Sequence, residues 1–189
     1  MNVIARKAVL TAATAVMLGS AVTGTALAAR STSTARTTTT AASSVPRCYT
    51  QSLSAGLRGA ETGPHNEVGF ILTLTNEGQR SCSVYGYPGL GLQDFNHRTL
   101  SSHTFWGSTF FDRDPGRQLI VLSPGETASA SLAFISGATT NAVQAAYLVV
   151  TPPNAYDHLV VGPFSRSMTV PIYQGDLHVT AMVRHTPHP

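Results

Sequence analysis

The feature that most constrains this chain is a hydrophobic alternation of period two. Apolar side chains occupy alternate positions over residues 68–74, and residues 127–134 set alanine, leucine and phenylalanine against serine and threonine. Such alternation places one set of side chains on each face of a half-buried β-strand. Residues 53–57 show the same pattern more weakly. No sustained helical period occurs, so the sequence predicts an all-β domain, with at most a turn or two of helix over residues 139–146.

Further strands are predicted where short apolar runs lie between turn signals. The turns are rich in Gly, Pro and Asn, as in Asn76-Glu77-Gly78, Tyr87-Pro88-Gly89 and Ser123-Pro124-Gly125. Short strands spaced about 8–12 residues apart are typical of an antiparallel sandwich rather than a parallel α/β sheet. We therefore expect a β-sandwich of about 8–10 strands. The further strands are predicted over residues 81–85, 90–95, 118–122, 147–151, 158–161, 167–172 and 177–183.

The first 28 residues are typical of a cleaved signal peptide. Arg6 and Lys7 form a basic start, an apolar run over residues 8–18 follows, and Ala26-Leu27-Ala28 offers the small residues that a signal peptidase recognises. The run is shorter than the roughly 20 apolar residues of a membrane span, which disfavours an uncleaved anchor. We expect cleavage after residue 28, no stable lipid or membrane anchor, and a secreted product.

The rest of the chain divides into a spacer and a domain. Residues 29–45 are mostly Ser, Thr and Ala, a composition with too little apolar surface to offset the entropy of ordering, so we expect a disordered linker. Residues 46–189 form the predicted domain, which is long enough for one hydrophobic core. Its two cysteines, Cys48 and Cys82, make an even count in an exported chain. This count predicts one disulfide bond rather than a catalytic thiol.

Charge and lysine content exclude several classes of function. Lys7 is the only lysine, so a mature protein would lack the lysine of Schiff-base enzymes, P-loop NTPases and Ser-x-x-Lys acyl-enzymes. Four of the twelve Lys and Arg residues precede position 46, which leaves eight arginines against nine acidic residues, a net charge of −1 for the domain. Without a basic patch, nucleic-acid binding lacks its main driving force, and we expect none.

Three sequence blocks are distinctive: Leu74-Thr75-Asn76-Glu77-Gly78 with Ser81-Cys82-Ser83-Val84-Tyr85-Gly86-Tyr87-Pro88-Gly89, Leu122-Ser123-Pro124-Gly125-Glu126-Thr127-Ala128-Ser129-Ala130-Ser131-Leu132, and Val149-Val150-Thr151-Pro152-Pro153. These blocks resemble the family called domain of unknown function 4232, and Cys48 lies where that family opens with a cysteine. The resemblance implies an exported actinobacterial domain with an immunoglobulin-like antiparallel β-sandwich. It implies no activity and no catalytic residues, because the family has none assigned. Many relatives carry further cysteines late in the domain, whereas this chain has none after Cys82.

We interpret these motifs as maintaining the fold rather than contacting a ligand. Gly78 is expected to supply the positive φ of a tight turn. Cys82, just after that turn, would tie its strand to the first strand of the domain. Tyr87 is expected to bury its ring and to hydrogen-bond its hydroxyl.

Other polar motifs give no site signature. Asp112 and Asp114 lie two residues apart, as in a fragment of a calcium loop, but calcium needs six or more oxygens, so we interpret the segment as a solvated turn. No pair of histidines forms His-Glu-x-x-His, and Gly-x-Ser-x-Gly is absent. We expect no metal site, no cofactor and no catalytic residue. The histidines are His65, His97, His103, His158, His178, His185 and His188.

The strongest candidate for a binding site is the aromatic stretch over residues 103–113, which contains the only tryptophan. Its aromatic residues are Phe105, Trp106, Phe110 and Phe111, in a long loop or a strand with irregular ends. Exposed rings on a β-sandwich can stack on sugars while polar neighbours bind the hydroxyls. Alternatively, the rings cap the core or cover a sheet edge. The sequence leaves both interpretations open.

The favoured functional hypothesis is a secreted, non-catalytic binding or interaction module of the bacterial cell envelope or extracellular space. Its partner would be a cell-wall glycan or an envelope protein. One alternative is a structural, self-associating envelope protein, which an exposed edge strand would mark. Another is an exported hydrolase in which His65 or His103 meets a carboxylate in a pocket.

Overall fold

The computed structural model describes residues 45–137, 140–165 and 168–184. These residues contain one short 3-10 helix, Thr50–Ser52, and fourteen β-strands. The strands are β1 Leu53–Thr62, β2 Glu67–Asn76, β3 Cys82–Tyr85, β4 Gly89–Gln93, β5 Thr99–Leu100, β6 His103–Trp106, β7 Leu119–Leu122, β8 Thr127–Ile135, β9 Ala142–Ala145, β10 Tyr147–Thr151, β11 Leu159–Val161, β12 Val170–Tyr173, β13 Asp176–Val179 and β14 Val183–Arg184.

The strands form four sheets. The largest has the order β1-β2-β8-β13-β6, with β14 also paired to β8, and the second has the order β11-β10-β4-β5. Two further sheets pair β3 with β7 and β12 with β9. The pairs are antiparallel except for β6 and β13, which run parallel.

The all-β class is confirmed, with more strands than the 8–10 that the sequence predicts. The additional strands β5, β6, β9 and β14 are only two to four residues long. Runs this short carry too few alternating positions to be recognised. The helical turn predicted over residues 139–146 is wrong where the structure describes it, because β9 pairs there with β12 and buries Ala145. The immunoglobulin-like arrangement stays a prediction.

The period-two pattern fixes the two faces of the largest sheet. On the inner face, Phe70 lies opposite Leu132 and Leu72 opposite Ala130. The outer face carries smaller residues, such as Gly69 opposite Ala133. This division follows from the alternation of side chains along a strand.

The inner faces of all four sheets contribute to one hydrophobic core. Phe134 is fully buried at its centre, with ring centroids 6.1 Å from Phe70 and 6.2 Å from Phe164. Other fully buried side chains are Leu72, Leu74, Leu92, Leu122, Leu132, Leu148, Ile172, Leu177 and Met182. Among the described residues, no helix is long and apolar enough to cross a membrane.

The predicted disulfide is present between Cys48 and Cys82, whose Cα atoms are 4.8 Å apart. It joins β3 to the segment that precedes β1, because Cys48 lies before Leu53, where β1 begins. Arg47 of the same segment forms an isolated bridge with Ser83. The expectation that it would reach the first strand itself is therefore wrong by a few residues. The predicted signal peptide and nearly all of the predicted linker lie outside the described residues.

The turn after β2 is held by a side chain and not by a positive φ at Gly78. Buried Asn76 donates its amide to the carbonyl oxygens of Arg80 and Leu122, both at 2.9 Å. Its Oδ1 accepts from the Gly78 backbone N–H at 3.0 Å. The expectation for Gly78 is wrong because Asn76 supplies the local hydrogen bond that closes the turn.

Candidate functional site

The aromatic stretch is divided between two faces of the protein. Phe105 and Trp106 are neighbours on β6, so their side chains point to opposite faces. The Trp106 indole N–H reaches the strand β4 side and donates to the Pro88 carbonyl oxygen at 3.0 Å. Phe105 instead stacks on His178, with ring centroids 5.0 Å apart, and the Phe110 ring centroid lies 4.9 Å from that of the same imidazole. The rings that the sequence groups together therefore do not form one surface.

Phe111 lies over the outer face of the largest sheet. A Cβ atom added to Gly69 would come within 2.7 Å of its ring, so the absence of a side chain there lets the ring approach the strand. Next to it, the Thr109 and Ser131 hydroxyls are hydrogen-bonded at 3.0 Å. This part of the stretch covers the sheet.

Trp106 is exposed and also fixed in position. Its side chain is 58% exposed, the largest exposed aromatic face of the stretch. The indole stacks on Tyr87 with ring centroids 5.7 Å apart and an interplanar angle of 19°. Together with the bond to Pro88, this stack holds one face of the indole in solvent at a defined angle.

Tyr87 is in turn held by Asp114. Its hydroxyl donates to one carboxylate oxygen of Asp114, and the other oxygen accepts from the Ala181 backbone N–H at 2.9 Å. The interpretation of the Asp112–Asp114 segment as a solvated turn is therefore wrong for Asp114, although Asp112 is exposed. Asp114 links the loop after β6 to Tyr87 and to the segment after β13.

The hydrogen bond between Tyr87 and Asp114 shifts both pKa values. Partial burial acts to raise the pKa of Asp114, but the amides of Ala181 and Gly116 and the Tyr87 hydroxyl outweigh it, so this pKa lies below its ordinary value. The pKa of Tyr87 is raised, mainly by the hydrogen bond to the Asp114 carboxylate and to a smaller extent by burial. At neutral pH, Asp114 is therefore a charged acceptor and Tyr87 a neutral donor.

A cavity of about 310 Å³, which we call the Trp106 groove, opens beside the stacked rings. Four chain segments line it, and its residues are Tyr85, Gly86, Tyr87, Gly89, Trp106, Arg117, Thr151, Pro152, Asn154 and Ala155. The Arg117 guanidinium carbon lies 5.5 Å from the centroid of the Tyr87 ring. The groove thus combines aromatic faces with a cation, a hydroxyl and an amide, which is the composition of a site for a polar ligand with an apolar face.

A second groove of about 470 Å³ lies on the outer face of the largest sheet. Its rim carries both signs of charge, including Arg58, Glu61, Asp112 and Arg113, and Ser129 lies in its floor. None of the described residues that line it is aromatic. The Phe111 ring adjoins this groove but is half-buried against the sheet at Gly69, so it offers a poorer stacking face than exposed Trp106, and the Trp106 groove is the better candidate.

Two histidines meet carboxylates, as the hydrolase alternative requires, but outside both grooves. His65 lies 3.2 Å from Glu67 and His103 lies 3.3 Å from Asp176, with the histidine side chains 83% and 63% exposed. Neither residue lines the grooves described above. Within residues 45–137, 140–165 and 168–184, no group of three or more His, Cys, Asp or Glu could hold a metal ion. His185 and His188 lie outside the described residues.

Sequence reasoning found one member of the groove and missed most of the others. The single tryptophan pointed to Trp106. The Tyr87 hydroxyl is hydrogen-bonded as the sequence predicts, but its ring is only half-buried and forms a wall of the groove. Arg117 and Asn154 carry no local signal, because only the folded chain brings them beside the indole.

Comparison with known proteins identifies the domain. Among curated proteins, none matches the chain. A family profile with the description Domain of unknown function (DUF4232) matches residues 48–183, a range that includes every residue lining the Trp106 groove. The match covers well over half of the chain. The chain therefore belongs to the family of domains of unknown function called DUF4232.

Proposed function

We propose that this chain is a secreted, non-catalytic binding module of the bacterial cell envelope or extracellular space, and that the Trp106 groove binds a glycan. The observation that carries the proposal is the exposed face of Trp106, held by its stack on Tyr87 and its bond to Pro88. Fixed aromatic faces beside polar groups suit a ligand that has both an apolar face and hydroxyls.

The polar lining of the groove supports this ligand class. The hydroxyl of Thr151, the amide of Asn154 and the guanidinium of Arg117 supply donors and acceptors around one aromatic surface. Because Trp106 is already fixed, binding would cost little side-chain entropy. A sugar ring could stack on the indole while its hydroxyls bond to these neighbours.

Secretion is proposed from two features. The first 28 residues have the composition of a signal peptide. The disulfide between Cys48 and Cys82 is of the kind that forms and persists in oxidising compartments outside the cytoplasm. Both features favour a module that acts outside the cell.

The test is co-sedimentation of the mature chain, residues 29–189, with purified peptidoglycan and with insoluble polysaccharides. We expect the wild type to pellet and Trp106→Ala to bind about ten-fold more weakly or worse, because truncation of a central aromatic contact commonly costs more than 1 kcal/mol. The matched control is Phe105→Ala. Phe105 is the neighbouring residue, is 47% exposed and points to the other face, so its loss should leave binding unchanged.

Trp106→Phe separates binding from folding. It keeps an aromatic ring on Tyr87 but removes the donor to Pro88 and part of the apolar face, so it should fold and retain part of the binding. Circular dichroism and thermal unfolding check each variant. Equal pelleting of wild type and folded Trp106→Ala would contradict the groove assignment. Failure of the wild type to pellet with every glycan would contradict the proposed function.

A further inference from the structure

We infer that the ligand of the Trp106 groove is an acidic sugar whose carboxylate pairs with Arg117. This inference rests on the proposed function, because it names the class of glycan that the same groove would select. The structure supports it through the charge of the lining, the fixed position of Arg117 and the distance from Arg117 to the aromatic rings.

The lining of the groove carries a single charge, and it is positive. Among the residues that the structure describes, Arg117 is its only ionised residue, and no Asp or Glu lines the cavity. The nearby acid Asp114 directs its oxygens to Tyr87 and Ala181. In the part of the chain that the structure describes, Arg117 takes part in no ion pair. The groove therefore presents a guanidinium that forms no ion pair with any described side chain.

Arg117 is exposed yet positioned. Its guanidinium carbon lies 5.5 Å from the centroid of the Tyr87 ring, a cation–π arrangement. Its stem runs close to Gly86, where an added Cβ would lie 3.6 Å from the Arg117 Cγ. The side chain that these contacts hold lines the groove and carries a planar fork of donors. Such a fork matches the two oxygens of a carboxylate better than it matches a single hydroxyl.

A second cation flanks the same groove. Arg47 donates from Nη1 to the carbonyl oxygen of Asn154, a residue of the groove lining. Residues 46–189 have eight arginines and nine acidic residues, so the domain as a whole is slightly acidic. The positive potential at the groove is therefore local, which favours an anionic ligand at this position rather than over the whole surface.

The aromatic and cationic contacts lie close enough for one short oligosaccharide. The indole of Trp106 and the guanidinium of Arg117 both contact the Tyr87 ring, at 5.7 Å and 5.5 Å from its centroid. Their separation cannot exceed the sum of these distances. This separation is within the length of a short oligosaccharide, so a chain stacked on Trp106 is long enough to bring the carboxylate of one of its sugars to Arg117.

The test compares each polymer before and after its carboxylates are reduced to alcohols. Polygalacturonate and purified cell wall are each assayed as the native polymer and as the carbodiimide-activated, borohydride-reduced polymer, by biolayer interferometry and by co-sedimentation. We expect reduction to weaken wild-type binding about ten-fold or more, the effect of losing one charge-assisted pair. Arg117→Gln should bind both forms equally weakly, and Arg117→Lys should keep part of the preference, because lysine retains the charge without the fork.

The matched control is Arg113→Gln, which removes an exposed arginine of the same loop that lines the other groove. It should bind like the wild type, and an equal loss for Arg113→Gln and Arg117→Gln would overturn the assignment to Arg117. If reduced and native polymers bind equally and Trp106→Ala weakens both, the acidic-sugar inference is wrong while the proposed function stands. If Trp106→Ala changes binding to neither form, the assignment of glycan binding to the Trp106 groove fails, and the acidic-sugar inference fails with it.

Discussion

Tyr87 and Asp114 share one hydrogen bond that makes the support of the groove dependent on pH. The pKa of Asp114 lies below its ordinary value of 3.8, so its contribution to stability is complete above that value and is lost as pH falls through the lowered folded-state pKa. The pKa of Tyr87 lies above its ordinary value of 10.0, so its contribution is complete below that value and is lost as pH rises through the raised pKa. The bond is therefore fully effective between these ordinary values.

We predict that Asp114→Asn lowers the free energy of unfolding at pH 7 by about 1 kcal/mol, a typical value for a partly exposed charge-assisted bond. The difference in unfolding free energy between wild type and variant should shrink as pH falls below 3.8. Protonation of Asp114 in the wild type then removes the negative charge that the variant lacks at every pH. Urea unfolding of both proteins at a series of pH values measures this difference in the free energy of unfolding. Glu67 and Glu126 also have lowered pKa values, so only the difference between the two proteins reports on Asp114. A difference that does not change with pH would contradict the prediction.

At the scale of residues, the sequence predicts single side chains better than their neighbours. Trp106 could be chosen because it is the only tryptophan of the chain. Its partners could not, because Tyr87 and Arg117 come from opposite sides of it in sequence and meet only across sheets. The local sequence predicts a solvated Asp114 because nothing in it shows that the Ala181 backbone N–H donates to this carboxylate.

At the scale of elements, a strand glycine decides how the aromatic loop lies on the sheet. A Cβ at Gly69 would meet the Phe111 ring at 2.7 Å, closer than ordinary van der Waals contact. A Cβ at Gly91, also in a strand, would lie 3.5 Å from the Cβ of Val149, an ordinary contact. Neither glycine has a positive φ, so the two positions differ mainly in this contact.

We predict that Gly69→Ala destabilises the protein by about 1–3 kcal/mol, because Phe111 must move away from the sheet. Gly91→Ala should be neutral or slightly stabilising, because alanine reduces the entropy of the unfolded chain. Chemical unfolding followed by circular dichroism compares the two variants. Equal effects at the two positions would show that the approach of Phe111 to the sheet does not depend on the missing side chain.

Element prediction succeeded where alternation is long and failed where pairing is distant. The strands β2 and β8 span ten and nine residues, and their two faces follow directly from the sequence. The strand β6 is only four residues long and pairs in parallel with β13, which lies far along the chain. A strand that depends on so remote a partner leaves little signal in its own sequence.

At the scale of the whole molecule, both edges of the largest sheet are protected against pairing with another chain. At one edge, the Thr104 hydroxyl of β6 donates to the Leu90 carbonyl oxygen of β4 at 3.0 Å. The Trp106 indole N–H donates to the Pro88 carbonyl oxygen, just before β4, also at 3.0 Å. At the other edge, β1 contacts β11 of the second sheet, and the register of β1 on β2 shifts between Arg58 and Glu61. Gly59 and Ala60 there lie opposite the single residue Phe70, which makes this position a β-bulge, and Gly59 has φ 59°. Bulges and charges are common devices against edge-to-edge association.

The self-associating alternative can be tested at this bulge. We predict that the wild type is monomeric at micromolar concentration and that deletion of Gly59 promotes self-association. The deletion places Ala60 opposite Phe70 while Arg58 and Glu61 keep their partners, so the edge of β1 becomes regular. Size-exclusion chromatography with light scattering measures the mass of each protein.

The matched control is Gly59→Asn, because asparagine tolerates a positive φ and an added Cβ at this position meets nothing within 4 Å. This variant keeps the bulge and should stay monomeric. If the deletion variant is also monomeric, the bulge does not protect the edge, and the cover from β11 is sufficient. If the wild type itself associates, the structural alternative gains support, and glycan binding in the Trp106 groove must then be measured on the assembled form, where avidity would add to the affinity of a single groove.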